Sequence, residues 1–348
     1  MKILLTGTNG FVGSHVLDQL LVQNISTVVL LRPSSDRRFI AGHLGSGTGV
    51  SPVPTKKSHG RDARATTVEV RTGGIDQPAT LDAALEGVTH VIHCAGATKA
   101  LNAAGFFAVN HLGTRHLIEA VNRRGSQIQR FVHVSSLAAA GPATSERPKR
   151  ESDLPAPVSD YGRSKLAAER EVIGRCKTDW AIIRPPAVYG PRDAEFLRLF
   201  KAVKSHVLPR FGGGRQQLTL VFVADLAAAI VTVLTHPQAG RKVFFAGSPE
   251  VVTAAELAQR IATESGGWTI PLPLPNAVLW LACQMAEMKS RLTKKADVLN
   301  AQKWAELKAP GWVCDVTRLR EELGVECRTS LQDGVVQTRD WYRAQGWL

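Results

Sequence analysis

The first half of the chain alternates short apolar runs with longer stretches of helical period. KILLT (2–6), STVVLL (26–31), TVEV (67–70), HVIHCA (90–95), RFVHVSS (130–136) and WAIIRP (180–185) are mostly runs of Val, Ile and Leu. Such runs predict strands buried on both faces of a sheet. Between them lie FVGSHVLDQLLVQ (11–23), LDAALEG (81–87), GFFAVNHLGTRHLIEAVNRRG (105–125) and YGRSKLAAEREVIGRC (161–176), which predict helices. Strands alternating with helices imply an α/β fold with a doubly wound parallel sheet.

Two stretches break the rhythm. Residues 42–67 are rich in Gly, Ser, Thr and Pro and predict a flexible insertion. After residue 187, Pro and Gly become frequent, as in GPRD (190–193), LPRFGGG (208–214) and PLPLP (271–275). Residues 1–187 are therefore expected to form one domain and 188–348 a smaller, mixed lobe. VFVADLAAAIVTVL (221–234) and KVFFAG (242–247) look like core elements, so the lobe should interleave with the first domain through about 221–247. TAAE (253–256) has the pattern of a capping box with Thr253 as N-cap and Glu256 reaching back. NAVLWLACQMAEM (276–288) is apolar nearly all round and precedes Lys289, Arg291, Lys294 and Lys295. The plain expectation is a buried lobe helix. The alternatives are a greasy pocket lined by Trp280 and Met285, or contact with a membrane surface.

Composition narrows the classes. At 348 residues and 44% hydrophobic the chain can bury a sizeable core. Its net charge of +13 suggests an anionic partner. The cations are scattered and not interleaved with aromatics, which favours a phosphate-bearing cofactor over nucleic acid. Five dispersed cysteines without a C-x-x-C fit a reducing compartment. The chain enters a strand at MKILLTG without a signal-peptide pattern, and no run reaches the roughly 20 apolar residues of a membrane span. The expected location is cytoplasmic, without a membrane span. No His/Cys cluster has metal-ligand spacing.

TGTNGFVG (6–13) follows the first strand and opens a helix, with Gly7, Gly10 and Gly13 three apart. Glycines here allow a tight turn, close approach of backbone to a pyrophosphate, and close helix–strand packing. The helix N-terminus offers N–H groups to an anion. A dinucleotide on a Rossmann-type sheet is the expected ligand.

YGRSK puts Tyr161 and Lys165 four residues apart, on one helix face. An ammonium nearby would lower the phenol's pKa from about 10 toward useful acid/base chemistry. Lys165 could also hold ribose hydroxyls. VSSLAAAG (134–141) ends a strand where ligands of such sheets bind, making the Ser135 and Ser136 hydroxyls candidates.

These motifs, with HCAG (93–96), VNHLGT (109–114), IRPPAVYGP (183–191) and VFVADLA (221–227), resemble the extended short-chain dehydrogenase/reductases. That branch includes the NAD-dependent epimerase/dehydratases and the 3β-hydroxysteroid dehydrogenase-like enzymes. The resemblance implies Tyr161 as acid/base, Lys165 as its partner, Ser136 as the hydroxyl on the substrate oxygen, and Asn110 supporting a proton relay. It implies cofactor contacts from Gly7, Asn9, Gly10, Phe11, Val12, Gly13, Ile75, Cys94, Ala95, Gly96, Ser135, Pro185 and Val188. It also implies a homodimer paired through the 105–123 and 161–176 helices.

Departures from that pattern sharpen the expectation. Leu137, Ala138 and Ala139 stand where sugar dehydratases carry an acidic pair, so dehydration lacks its acid and base. Leu218 stands where nucleotide-sugar epimerases usually hold a diphosphate with Arg, although Arg215 is nearby. Gly73, Gly74 and Ile75 stand where a Gly-Asp pair is usual, so the adenine contact is absent or moved to Asp76. Arg32, with Ser34, Ser35, Arg37 and Arg38, ends the second strand where an acid usually holds a ribose hydroxyl. A cation there suits a 2′-phosphate, so NADP is expected ahead of NAD. The leading expectation is hydride transfer between a nicotinamide cofactor and an alcohol or ketone of an uncharged or lipophilic small molecule. Epimerisation of a nucleotide sugar with retained NAD stands second, and a non-catalytic dinucleotide sensor third.

Overall fold

The computed structural model describes residues 1–44, 68–211, 214–266, 268–294 and 301–348. Its strands begin with β1 (Lys2–Thr6), β2 (Ser26–Leu31), β3 (Val68–Thr72), β4 (His90–His93), β5 (Arg130–Val134) and β6 (Trp180–Arg184). β7 (Ala187–Tyr189), β8 (Val207–Phe211), β9 (Gln217–Phe222) and β10 (Lys242–Phe245) follow. β11 (Val251–Thr253), β12 (Ile270–Leu274) and β13 (Gly311–Trp312) complete the set. The expected insertion, 42–67, lies outside the described residues from 45 onward.

Seven strands form one sheet among the described residues, in the order β10-β6-β5-β4-β1-β2-β3, every neighbouring pair parallel. Strand order reverses at β1, between β2 and β4, and a sheet of this kind binds ligands outside that point. Alternation along β1 divides the core. Ile3 and Leu5 join Val16, Leu17 and Ile230 on one face, while Leu4 joins Leu117, Ile118 and Val172 on the other. The helices Phe11–Val22 and Val223–Thr235 cover the first face, and Gly113–Arg124 and Asp160–Arg175 the second. The apolar runs HVIHCA and RFVHVSS stop being strand at His93 and Val134. Cys94–Gly96 and Ser135–Ser136 are thereby left as loops at the carboxyl edge.

The stretch expected as one helix over 105–125 is interrupted. A short helix, Ala103–Phe106, runs into a π-helical turn, Phe107–Leu112, before Gly113–Arg124. Such turns place an extra residue in the coil and collect at functional sites. Here the turn carries Asn110, which is buried.

The second half builds a small sheet on β9, with β7 and β13 parallel to it and β11 antiparallel. Phe200, Phe222, Ile261, Val335 and Tyr342 form its core. The capping box at Thr253 is present, with Glu256 N–H donating to Thr253 Oγ1 at 3.1 Å and Thr253 N–H to Glu256 Oε2 at 2.6 Å. β8 and β12 form a separate parallel pair. The two halves are tied where Arg192 pairs with Asp18 at 2.8 Å and His15 Nε2 meets Pro191 O at 2.9 Å. The helix expected to be buried at 276–288 is not. Asn276–Thr293 buries Leu279, Cys283 and Ser290, but Trp280 and Met285 are 47% and 58% exposed.

Candidate active site

The carboxyl edge of β1 turns through Gly7, whose φ of +74° places it in the left-handed region. A Cβ there would lie 2.5 Å from the Ala95 nitrogen, and one on Gly13 would lie 2.1 Å from Gly7 O. Both positions exclude any side chain. Gly10 N–H closes the turn on Gly7 O at 3.0 Å and Gly10 then caps the Phe11–Val22 helix, with no side chain blocking its first N–H groups. The result is a bare backbone cradle at a helix N-terminus, the requirement for a pyrophosphate. Phe11 and Val12 form the helix's first turn. Asn9, Ile75, Cys94, Ala95 and Gly96 line the same cleft, which encloses about 220 Å³. Gly113 seats Ile75, since a Cβ there would come within 2.7 Å of Ile75 Cδ1.

Arg32, Ser35 and Asp76 form the far end of this cleft. The Arg32 guanidinium is 3.9 Å from the Asp76 carboxylate, and both are about half exposed. Arg38 is engaged elsewhere, paired with Asp36 and lying over the Phe39 ring. Arg37 is not among the residues lining the cleft.

Tyr161 sits in the first turn of Asp160–Arg175, which Ser159 caps by accepting from Gly162 N–H at 3.1 Å. Burial pushes the phenol up to about 12, Ser136 opposes this through a hydrogen bond, and Glu306 adds to it. Ser136 is itself an N-cap, accepting from Ala138 N–H at 3.1 Å, which fixes its oxygen at the end of β5. Lys165 departs from the expected pairing. Its ammonium runs inward and donates to Val134 O at 2.7 Å, the last carbonyl of β5. Burial lowers its pKa to about 8, with Glu169 pulling it back up. Four-residue spacing put both groups on one helix face, but a carbonyl at the sheet edge captured the longer side chain.

Asn110 holds the floor together. Its Oδ1 accepts from Ala97 N–H at 2.7 Å, and its Nδ2 donates to Ala97 O at 3.0 Å and to Ser164 Oγ at 2.9 Å. Its side-chain bonds thus clamp a loop instead of reaching the phenol. The Ser135 hydroxyl donates to Glu169 Oε1 at 2.5 Å, and Ser135 lines neither cleft. Pro185 O accepts from Leu137 N–H at 2.8 Å, while Val188 reaches the second cavity.

That second cavity, about 430 Å³, opens from Ser136 and Tyr161 toward the small sheet. Phe106, Leu137, Leu218, Leu307 and Trp312 give it an apolar wall. Among the described residues its one lining cation is Lys303, 2.7 Å from Glu306. Arg215 is exposed and absent from the wall.

Residues 3–247 match the NAD dependent epimerase/dehydratase family. The chain belongs to this family. It is 30% identical to the ceramide reductase of Caulobacter vibrioides, over 99% of this chain and 96% of that one. It is 27% identical to the UDP-glucose 4-epimerase of Vibrio cholerae, over 97% and 94%. Among solved structures, the UDP-glucose 4-epimerase of Thermus thermophilus complexed with NAD superposes with a TM-score of 0.73 at 22% identity, covering 99% of each chain. The protein is thus an enzyme of the extended short-chain dehydrogenase/reductase type.

Two features of this family member escaped the sequence reading. Glu169 forms a buried ion pair with Arg184, at 2.6 and 2.9 Å, beneath Ser135 and Lys165. The available signal was a charge ending the apolar run WAIIR and an acid four residues after Lys165. The second is a hydrogen-bonded chain from the glycine turn to Asn110. Thr6 Oγ1 meets His93 Nδ1 at 2.7 Å, His93 Nε2 meets Thr114 Oγ1 at 2.9 Å, and Thr114 donates to Asn110 O. Burial holds His93 down to about 3, so the imidazole is neutral. No local spacing in the sequence announces this chain, because its members come from four separate elements.

Proposed function

We propose that the protein is an NADP(H)-dependent reductase of a ketone carried on a lipophilic molecule. The observation that carries this reading is the apolar cavity opening from Ser136 and Tyr161, with Leu218 in its wall and its one lining cation already paired to Glu306. A sugar diphosphate would meet no unopposed cation there among the described residues, whereas an acyl or alkyl chain would displace water from apolar surface. The similarity to a ceramide reductase supports the same choice.

The glycine cradle and its helix would hold the dinucleotide's pyrophosphate, and Arg32 with Ser35 would receive a 2′-phosphate. When bound, the nicotinamide supplies the hydride. The chain's own residues position the ketone and deliver the proton. Ser136 and Tyr161 donate hydrogen bonds to the ketone oxygen and fix which carbon faces the cofactor. A phenol pushed up to about 12 is fully protonated at neutral pH, so Tyr161 is set to give its proton to the oxygen as negative charge develops there. Asn110 reaches Ser164 on the helix that carries Tyr161, and Lys165 holds Val134 O at the end of the strand that leads to Ser136.

Purified enzyme should consume NADPH with long-chain keto-lipids, and Tyr161→Phe should lower kcat/KM by roughly 10²- to 10⁴-fold while NADPH binding persists. Tightly retained NAD together with turnover of a UDP-sugar would overturn the reading in favour of epimerisation.

A further inference from the structure

The Asn276–Thr293 helix is apolar on two opposite faces. Leu279, Cys283 and Ser290 turn inward, toward the Ala301–Leu307 helix on which it packs. That second helix contributes Glu306 and Leu307 to the wall of the substrate cavity. Val278, Leu281, Met285, Met288 and Leu292 form the outer stripe, at helical spacings of three and four. They are exposed, from 48% at Val278 to 79% at Leu292. The neighbouring segment adds Trp268, Ile270, Leu272 and, on the helix, Trp280, all likewise exposed. Exposed apolar side chains repeated along one helix face in this way mark an interaction site.

We propose that this face docks on a bilayer containing anionic phospholipid and so brings the helix behind the cavity wall to the lipid surface. The proposal rests on the lipophilic-ketone reading above and gives that substrate a source. Three observations select a bilayer. The stripe's carboxyl end carries Lys289 and Lys294, both exposed, with Arg291 between them in sequence, and the whole chain has a net charge of +13. Cations at the end of an apolar stripe are placed to meet anionic headgroups while the stripe enters the acyl boundary. Trp268 and Trp280 supply the amphipathic rings that suit the headgroup level. The same helix also backs the cavity-wall helix with its inner side, so docking of the outer stripe sets the site one helix away from the bilayer. No described helix is long and apolar enough to cross a membrane, so attachment is to one surface.

The test is flotation of the full-length protein with vesicles of phosphatidylcholine alone and of phosphatidylcholine mixed with phosphatidylglycerol. The protein should float with the mixed vesicles and be released by salt. Leu281→Glu combined with Met285→Glu should cut the floated fraction about tenfold or more, and Lys289→Glu with Lys294→Glu should also lower it. Both variants should keep the parent's NADPH affinity and thermal unfolding. The charge-reversal pair tests the same face should the first variant fold poorly. Equal flotation of parent and variants, or none by the parent, overturns the proposal. So does a parent dimer that Leu281→Glu converts to monomer, which would assign the face to a second copy. Flotation needs no turnover, so its failure is separable from failure of the ketone-reductase reading.

Discussion

Beneath the cleft, Glu169 and Arg184 bury a charge pair with at most 5% exposure, and Ser135 adds its hydroxyl to the same carboxylate. Above it, the Asn276–Thr293 helix leaves Met285 and Met288 more than half exposed. The floor is polar, interior and hydrogen-bonded from several elements. The roof is apolar and open along one face. A floor of that kind fixes atoms to within a rotamer, because each buried donor has a defined acceptor and losing one strands the other. A roof of that kind fixes little and selects by character, since apolar contact is non-directional. The floor therefore holds the end of β5 in place, whereas the roof's open stripe lines neither cavity and is left to contacts outside the site.

The contrast breaks most easily at Arg184. Truncating it to Ala leaves the Glu169 carboxylate buried without its partner and removes the guanidinium stacked over Phe245. The expected loss is about 3–5 kcal/mol of folding stability, read by denaturant unfolding. Met285→Glu, on the open face of the roof, should change stability by no more than about 0.5 kcal/mol. Comparable losses at the two sites would show that floor and roof do not differ as described.

Lys165 sharpens the comparison through pH. At ~1.4 kcal/mol per pH unit, a fall from 10.5 to about 8 makes the charged Lys165 cost the fold on the order of 3 kcal/mol. The sign follows from proton binding. Below about pH 8 the folded and unfolded chains both hold this proton, and the cost is present in full. From about 8 to 10.5 the unfolded chain holds it and the folded chain does not, so stability rises with pH across that window. Lys165→Met should therefore stabilise the protein at about pH 7 and lose that advantage by about pH 10. Comparing the two pH values cancels the constant loss of the bond to Val134 O. A stability difference that is flat with pH would mean that the ammonium is not held in a desolvated site.

Much of the glycine cleft was legible because its signals are local. Gly7 and Gly13 are glycines for steric reasons that act within a few residues or at the next strand end, and the apolar runs carry the sheet in their own composition. What stayed hidden depends on who meets whom. Thr6, His93 and Thr114 are unremarkable singly and become a relay of hydrogen bonds only when β1, β4 and the Gly113–Arg124 helix meet. Lys165 followed its helix spacing but not its expected partner, since the competing acceptor, Val134 O, lies 31 residues away in sequence. The roof misled in the opposite sense. An all-round apolar helix ordinarily signals burial, and here composition alone could not say that one of its faces would be left uncovered.

Arg32 stands where the floor meets solvent, and its expected effect is the smallest. Its side chain is about half exposed and its carboxylate neighbour, Asp76, is 3.9 Å away. That separation is too long for a charge-assisted hydrogen bond, and solvent screens the pair, so the guanidinium is able to turn to a phosphate. Arg32→Glu would set two carboxylates at this end of the cleft, and both would repel a 2′-phosphate, while a 2′-hydroxyl would gain an acceptor. The Kd for NADPH should rise roughly tenfold, a change of about 1.4 kcal/mol, and the Kd for NADH should stay level or fall. Titrating the parent and the variant with both nucleotides by fluorescence measures the difference directly. Parallel weakening of the two would mean that Arg32 acts on the shared adenosine and does not choose between the cofactors.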